Sequence, residues 1–436
     1  MSSAPRARVL VIAEAANPEW VSVPLVGWSL ANALRKVADI HIVTQVRNRD
    51  AILRAGLREG QDFTAIDSED VTRPIWLAGQ WLQKKAGLGW TVETAFASVP
   101  YYVFEHRVWQ RFGDAIRSKQ YDVVHRVTPL TPTTQSILAA KCKDAGVPFV
   151  WGPINGGVAW PKEFADVLRA EGEWLSYVRN AYKLMPGYRS TRADAAAIMV
   201  GSQATWTELE PYQDHCVYLP ENAVDQSRFG EPTLPPQDGP LRAAFVGRLV
   251  PYKGADMLLR AAAPLVRAGK LELEILGDGP QKPELERIVA EEGIAKGVNL
   301  AGWIAHAQLH EKLRSCHLFA FPSVREFGGG VVLEAMLLGI PPAVVSYAGP
   351  RELVTDRTGF LVPLGSREQV VERFAKLLAQ LAEDRSPLAA MGMRARQRVL
   401  HWYTWEKKAE QVAEVYAWVC GRGPKPSYGM PFGEAP

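Results

Sequence analysis

Cysteine is scarce in this chain. Four stand in 436 residues (Cys142, Cys216, Cys316, Cys420), far apart and with no C-x-x-C spacing. That excludes a disulfide framework and a cysteine-based zinc site, and it predicts reduced, mostly buried thiols. Long apolar runs are missing too, so no segment reads as a membrane span. The first residues, MSSAPRARVLVIAEA, enter a strand at once and carry no signal-peptide core. A cytoplasmic location is expected. Charge of one sign is not in excess. Lys plus Arg number 50 against 47 Asp plus Glu, for a formal net charge of +3. Without a basic tail or stripe, nucleic acid is not an expected partner. There is no Walker A sequence, which removes that class of ATPase. No Asp-x-Asp stands at a strand end. The nearest acidic run, Asp67-Ser68-Glu69-Asp70, lies in a polar loop and reads as a helix cap, so no bound metal is implied.

What the chain does have is concentrated between Phe319 and Pro341, FAFPSVREFGGGVVLEAMLLGIP. An apolar strand runs into a loop bearing Glu326. Phe327 and three glycines follow, then an apolar helix carrying Glu334. Glycines let backbone N–H groups approach a ligand with no Cβ in the way. The positive end of the helix points at the same place, which suits an anion such as a diphosphate. Glu326 stands beside whatever the glycines cradle. Glu334, about one turn into the helix, can accept two hydrogen bonds from a vicinal diol such as a ribose. Upstream, Gly247-Arg248-Leu249 ends a strand and Lys253-Gly254 opens a helix. An arginine fork and a lysine point charge at one strand-to-helix turn can face the same anion. Leu276-Gly277-Asp278-Gly279-Pro280 fails as a dinucleotide fingerprint, because Lys282 stands where the third glycine belongs.

The rest of the chain supplies the frame. Strand–helix–strand rhythm is clear at 8–46 and returns at 121–153, then at 196–222. That rhythm predicts a parallel, doubly wound α/β sheet. Residues 48–117 are less regular. Within them, IWLAGQWLQKKAGLGW reads as an insertion near a binding cleft and a candidate lid. EPTLPPQDGP, at 231–240, has linker composition. We expect an N-terminal domain over 1–230, a C-terminal domain over 231–402 with six strands, a helix at about 403–420 and a loose tail over 421–436.

This set of motifs resembles the family 4 glycosyltransferases, retaining sugar-nucleotide-dependent enzymes of the GT-B fold. The resemblance covers 216–418. It rests on PENAVD, FVGRLVPYKG, GDGP, FPSVREFGGGVVLEAMLLGIPPAV, AGPRELV and TGFLV, all in the family's order. It implies two Rossmann-like domains facing across a cleft, with the C-terminal helix crossing back to the first. It implies that Arg248 and Lys253 hold the donor diphosphate, that Glu326 sits at the donor sugar and that Glu334 binds the ribose. The amides of Phe327, Gly328 and Gly329 would hold sugar hydroxyls and phosphates. The implied co-substrate is a nucleoside-diphosphate sugar, with no metal or other cofactor. The acceptor hydroxyl, on a glycan, lipid or small molecule, is unspecified. A lipid acceptor would be compatible with peripheral contact at the membrane's cytoplasmic face.

The N-terminal half departs from the family. Where many members carry Gly-Gly in the first loop, this chain reads NPEWVSVPLVGWS, and Gly27 is the one equivalent. Where many carry His-x-His, this chain has His125 but Val127 at the second position. His125, Arg126, Thr128 and Asn155 are therefore the candidate polar groups on the acceptor side. Two alternatives share this architecture: a sugar-nucleotide epimerase, and a non-catalytic nucleotide-sugar-binding protein. The intact Arg248, Lys253, Glu326 and Glu334 set argues against both.

Overall fold

The structure, a computed structural model, describes residues 6–75, 90–170, 181–232, 238–304 and 306–434. The candidate lid therefore lies, apart from its two end residues, outside the described residues. The chain forms two compact units. One holds 1–157, 168–221 and 405–429; the other holds 158–167, 222–404 and 430–436.

The first unit is built on a seven-stranded parallel sheet in the order β3-β2-β1-β4-β5-β6-β7. Its strands are β1 (Arg8–Ala13), β2 (Asp39–Gln45), β3 (Phe63–Ile66), β4 (Val123–Thr128), β5 (Phe149–Ile154), β6 (Ala197–Val200) and β7 (Cys216–Tyr218). RVLVIA and FVWGPI are apolar almost throughout because both faces of such a sheet are covered. Helix α1 (Val23–Leu34) opens on a proline, whose fixed φ suits a first turn. The region that reads as irregular turns out to supply β3 and a long helix, α2 (Trp90–Arg117). Tyr101, Phe104, Val108, Phe112 and Ile116 of α2 recur at helical spacing and are buried against Leu10, Ile12, Val124 and Trp151. Each such side chain contributes roughly 1.5–3 kcal/mol by leaving water. The charged and aromatic residues between them hid this stripe from a sequence reading.

The second unit has six parallel strands in the order β10-β9-β8-β11-β12-β13. They are β8 (Leu241–Val246), β9 (Leu271–Leu276), β10 (Val298–Gly302), β11 (Leu318–Phe321), β12 (Pro342–Val345) and β13 (Phe360–Val362). Three helices matter for the site: α3 (Ala255–Arg267) after β8, α4 (Lys282–Glu291) after β9 and α5 (Gly330–Leu337) after β11. Counted from its own first strand, the order is 3-2-1-4-5-6. The connections therefore reverse direction between β8 and β11, and a crevice opens there at the carboxyl ends of the strands. Phe245 and Phe321, stacked with ring centroids 5.8 Å apart, lock these two central strands together.

The C-terminal helix α6 (Trp405–Val419) returns to the first unit and packs on α1. It buries Trp405, Lys408, Ala409, Val412, Val415 and Tyr416 along one face. The tail after it is not loose, contrary to expectation. Phe432 is buried, its ring 4.8 Å from that of Trp402, and Arg398 donates to the Phe432 carbonyl at 2.8 Å. A buried guanidinium needs acceptors, and here the tail's backbone supplies them.

Candidate functional site

Apart from Glu334, the donor-side residues read from the sequence stand at the carboxyl edge of the second sheet, on the two loops that flank its switch point. The β8 loop carries Arg248 and Lys253, and the β11 loop carries Glu326, Phe327, Gly328 and Gly329. Backbone contacts stitch the loops together. Val324 N donates to the Tyr252 carbonyl at 2.9 Å, and Ser323 Oγ reaches the same oxygen at 3.3 Å. Gly254 sits at φ +78, and a Cβ there would lie 2.6 Å from the Pro322 carbonyl oxygen. Only glycine satisfies both conditions.

This stitching brings Lys253 and Glu326 into direct contact. Lys253 Nζ donates to Glu326 Oε2, with the side chains 16% and 18% exposed. Lys253 also lies 5.3 Å from the Phe321 ring centroid. Arg248 is exposed, and among the described residues its guanidinium meets no partner. The β11 loop is held by a hydrogen bond from Gly349 N to the Glu326 carbonyl at 3.1 Å. Gly329 takes a left-handed conformation, φ +60, as the N-cap of α5. Among the described residues, the amides of Gly328, Gly329 and Gly330 donate to no protein acceptor. Uncommitted N–H groups at a helix start form an anion cradle. Asn222, from PENAVD, lies against Gly330.

Glu334 is the fifth residue of α5 and half-buried. Burial pushes its pKa up to about 7, and the nearby positive charge of Arg228 offsets part of that rise. A carboxylate in this setting is short of donors, which hydroxyls of a ligand could supply.

The acceptor-side candidates are placed differently. Gly27 lies at the switch point of the first sheet, between β1 and β4. A Cβ there would clash with the Ala15 carbonyl oxygen and lie 2.9 Å from Thr128 Cγ2. Thr128 Oγ1 accepts from Ala15 N at 3.0 Å. His125 and Arg126 are wholly inside the fold. His125 Nε2 donates to the Gly152 carbonyl at 2.7 Å, which leaves Nδ1 to accept from Tyr416 Oη at 2.6 Å. Burial lowers its pKa to about 4, so the ring is neutral at ordinary pH. This histidine ties β4 to β5 and α6. Arg126 donates to the Thr134 carbonyl at 2.8 Å and lies 4.6 Å from the Tyr101 ring centroid. Asn155, 9% exposed, donates to both Glu221 oxygens at 2.9 and 3.0 Å and accepts from Ser202 Oγ at 2.7 Å. The polar groups expected on the acceptor side are thus spent on the fold of the first unit.

Sequence reasoning passed over Tyr252, Arg325 and Trp160. Arg325 lies between two aromatic rings, 4.6 Å from Trp160 and 5.2 Å from Phe327. Nothing in GPINGGVAWPKEF signals where Trp160 packs. Among the described residues, no group of three His, Cys, Asp or Glu side chains is arranged to hold a metal ion, and no helix is long and apolar enough to cross a membrane.

Two doubly wound lobes, with the C-terminal helix returned to the first, define the GT-B class. The chain belongs to the glycosyl transferases group 1 family, whose model matches residues 231–398. It is 31% identical over 295 residues to the GDP-mannose-dependent monoacylated alpha-(1-6)-phosphatidylinositol monomannoside mannosyltransferase of Corynebacterium glutamicum, covering 64% of this chain and 73% of that protein. It is 32% identical over 168 residues to the 2-deoxystreptamine glucosyltransferase of Streptomyces kanamyceticus, covering 38% of this chain and 41% of that one. The chain thus spans less than half the length of some of the curated relatives it matches. Among solved structures, HepE of Anabaena in complex with UDP superposes with a TM-score of 0.62 at 17% identity, over 94% of this chain and 99% of that one. At that identity the likeness is one of fold.

Proposed function

We propose that the protein transfers a sugar from a nucleoside-diphosphate sugar to an acceptor hydroxyl, with retention of configuration at the sugar and without a metal. The contact between Lys253 and Glu326, beside the uncommitted amides of Gly328, Gly329 and Gly330, carries this reading. A diphosphate seated on those amides would draw the Lys253 ammonium toward its own oxygens. Glu326 would then be released to accept hydrogen bonds from the donor sugar. Arg248 adds a second cation at the same edge, and Glu334 takes the ribose hydroxyls. As the glycosidic bond breaks, charge grows on the diphosphate. Cations and fixed N–H dipoles aimed there stabilise the transition state more than the ground state. The departing phosphate oxygen is then the base nearest to an incoming hydroxyl, which favours attack on the face the leaving group vacates.

The acceptor is assigned to the carboxyl edge of the first unit's sheet, around Gly27 and Thr128, by the same switch-point logic. His125, Arg126 and Asn155 support that edge from behind.

A thermal-shift panel of UDP-, GDP-, ADP- and dTDP-sugars identifies the donor, because a ligand at 100 times its Kd stabilises the native state by about 2.7 kcal/mol. With that donor, Lys253→Ala should lower turnover about 10²–10³-fold while leaving the melting temperature nearly unchanged. Turnover equal to the wild type would sink the diphosphate assignment.

A further inference from the structure

A segment drawn from the N-terminal half of the sequence braces the donor loops. Val158–Val167 lies between β5 and β6 in the chain, yet it packs with the second unit. It is anchored at two points. The Tyr347 hydroxyl donates to the Ala159 carbonyl at 2.7 Å. Phe164 is buried, with the Arg367 guanidinium 5.8 Å from its ring centroid, and Arg367 is itself paired with Asp256. Between these anchors the Trp160 indole meets Tyr252 edge-on, with centroids 6.0 Å apart at 89°. The same indole lies 4.6 Å from the guanidinium of Arg325, a residue only 9% exposed. Tyr252 immediately precedes Lys253, and Arg325 immediately precedes Glu326. One indole therefore touches the neighbour of each member of the ion pair.

We propose that Trp160 is a positioning residue for the donor site: by holding Arg325 and Tyr252 it sets how Lys253 and Glu326 meet. This rests on the donor reading given above. A guanidinium this buried needs electron-rich faces around it, and tryptophan offers the strongest of these. Without the indole, Tyr252 and Arg325 lose the ring that fixes them to one another, and the loops carrying Lys253 and Glu326 lose a shared brace. Glu326 would then no longer be held where the sugar can use it. The loss would fall on turnover, not on nucleotide affinity, because Arg248, Glu334 and the α5 amides are untouched.

The test uses the full chain. Release of nucleoside diphosphate from UDP-glucose and from GDP-mannose is followed with water as acceptor, and UDP and GDP affinities are measured by calorimetry. Trp160→Ala should lower kcat at least about tenfold while nucleoside-diphosphate affinity stays within about threefold, and Trp160→Phe should restore most of the rate. On an Arg325→Leu background, Trp160→Ala should have little further effect, because the two act through one contact. A Trp160→Ala kcat equal to the wild type overturns the proposal. So does a loss of rate and affinity together that phenylalanine does not rescue, or a loss that persists in full on the Arg325→Leu background. If Trp160→Ala does not fold, Trp160→Phe against Arg325→Leu decides by the same kcat comparison. A wild type that neither binds nor hydrolyses either donor points instead to failure of the donor reading.

Discussion

Replacing Glu334 with glutamine should move stability and nucleotide affinity in opposite directions. Burial lifts this carboxyl from an ordinary 4.5 to about 7. At 1.36 kcal/mol per unit, ionising it inside the fold costs about 3 kcal/mol. Between those two pH values the unfolded chain is ionised there while the folded protein holds the proton. The folded state therefore binds more protons, and stability falls as pH rises. The penalty is absent below about pH 4.5, grows through the window and is complete above about pH 7. Glutamine does not titrate. The stability of Glu334→Gln minus that of the wild type should therefore rise across this window by up to about 3 kcal/mol, or roughly 6–12 °C for a unit of this size. His125 titrates in an overlapping window with the opposite sign. Its lowered pKa of about 4 means that the folded protein binds fewer protons and gains stability as pH rises. Taking the difference between variant and wild type removes that shared contribution. Affinity for the nucleoside diphosphate should meanwhile fall about 10–100-fold, the worth of hydrogen bonds to a charged acceptor. Scanning fluorimetry from pH 4.5 to 8.5 and calorimetry at pH 7.5 check both arms. A stability difference that does not change with pH would refute the burial argument. Unchanged nucleotide affinity would remove the ribose role.

Gly254→Ala should weaken both stability and donor binding, because a Cβ at φ +78 is strained and would press on the Pro322 carbonyl at the start of the other donor loop; a cost of about 1–3 kcal/mol is expected in chemical denaturation. Tyr416→Phe removes the donor to His125 Nδ1 and should cost about 1–3 kcal/mol while leaving nucleotide affinity intact. His125→Ala should lower the melting temperature, yet donor turnover of the folded protein should stay within a few-fold; a thousand-fold loss with the fold intact would restore a reacting role to this histidine.

The parts of this protein that were legible in its sequence are those where the physics is local. A parallel strand covered on both faces must be apolar along its length, so β1, β5 and β8 stand out as runs. The three consecutive glycines announce a backbone that must come close to something. Arg248 and Lys253 are five residues apart on one strand-to-helix turn, so their joint placement follows from the turn alone. The helix α2 was hidden for the opposite reason. Its buried stripe makes sense only against Leu10, Val124 and Trp151, which are distant in sequence. Arg398 likewise gives no local sign that it will hold the tail by its carbonyls.

The same distinction explains why the donor-side and acceptor-side candidates differed in legibility. A diphosphate is recognised by charge and by free N–H groups, and both leave residue types that can be read directly. On the acceptor side, His125 was chosen by its match to the family's histidine, and Arg126, Thr128 and Asn155 by type, as polar residues in or next to the strands of the first sheet. That criterion selects equally for residues that close hydrogen bonds inside the sheet. His125, Arg126 and Asn155 all did so, each bonded to groups between 8 and 291 positions away. A polar residue at a strand end is informative about a ligand only once its own partners are known. Glu326 passes that test, although it is already paired. Its partner Lys253 is a cation that a diphosphate can compete for, whereas the partners of His125 are a backbone carbonyl and a buried hydroxyl that no ligand reaches.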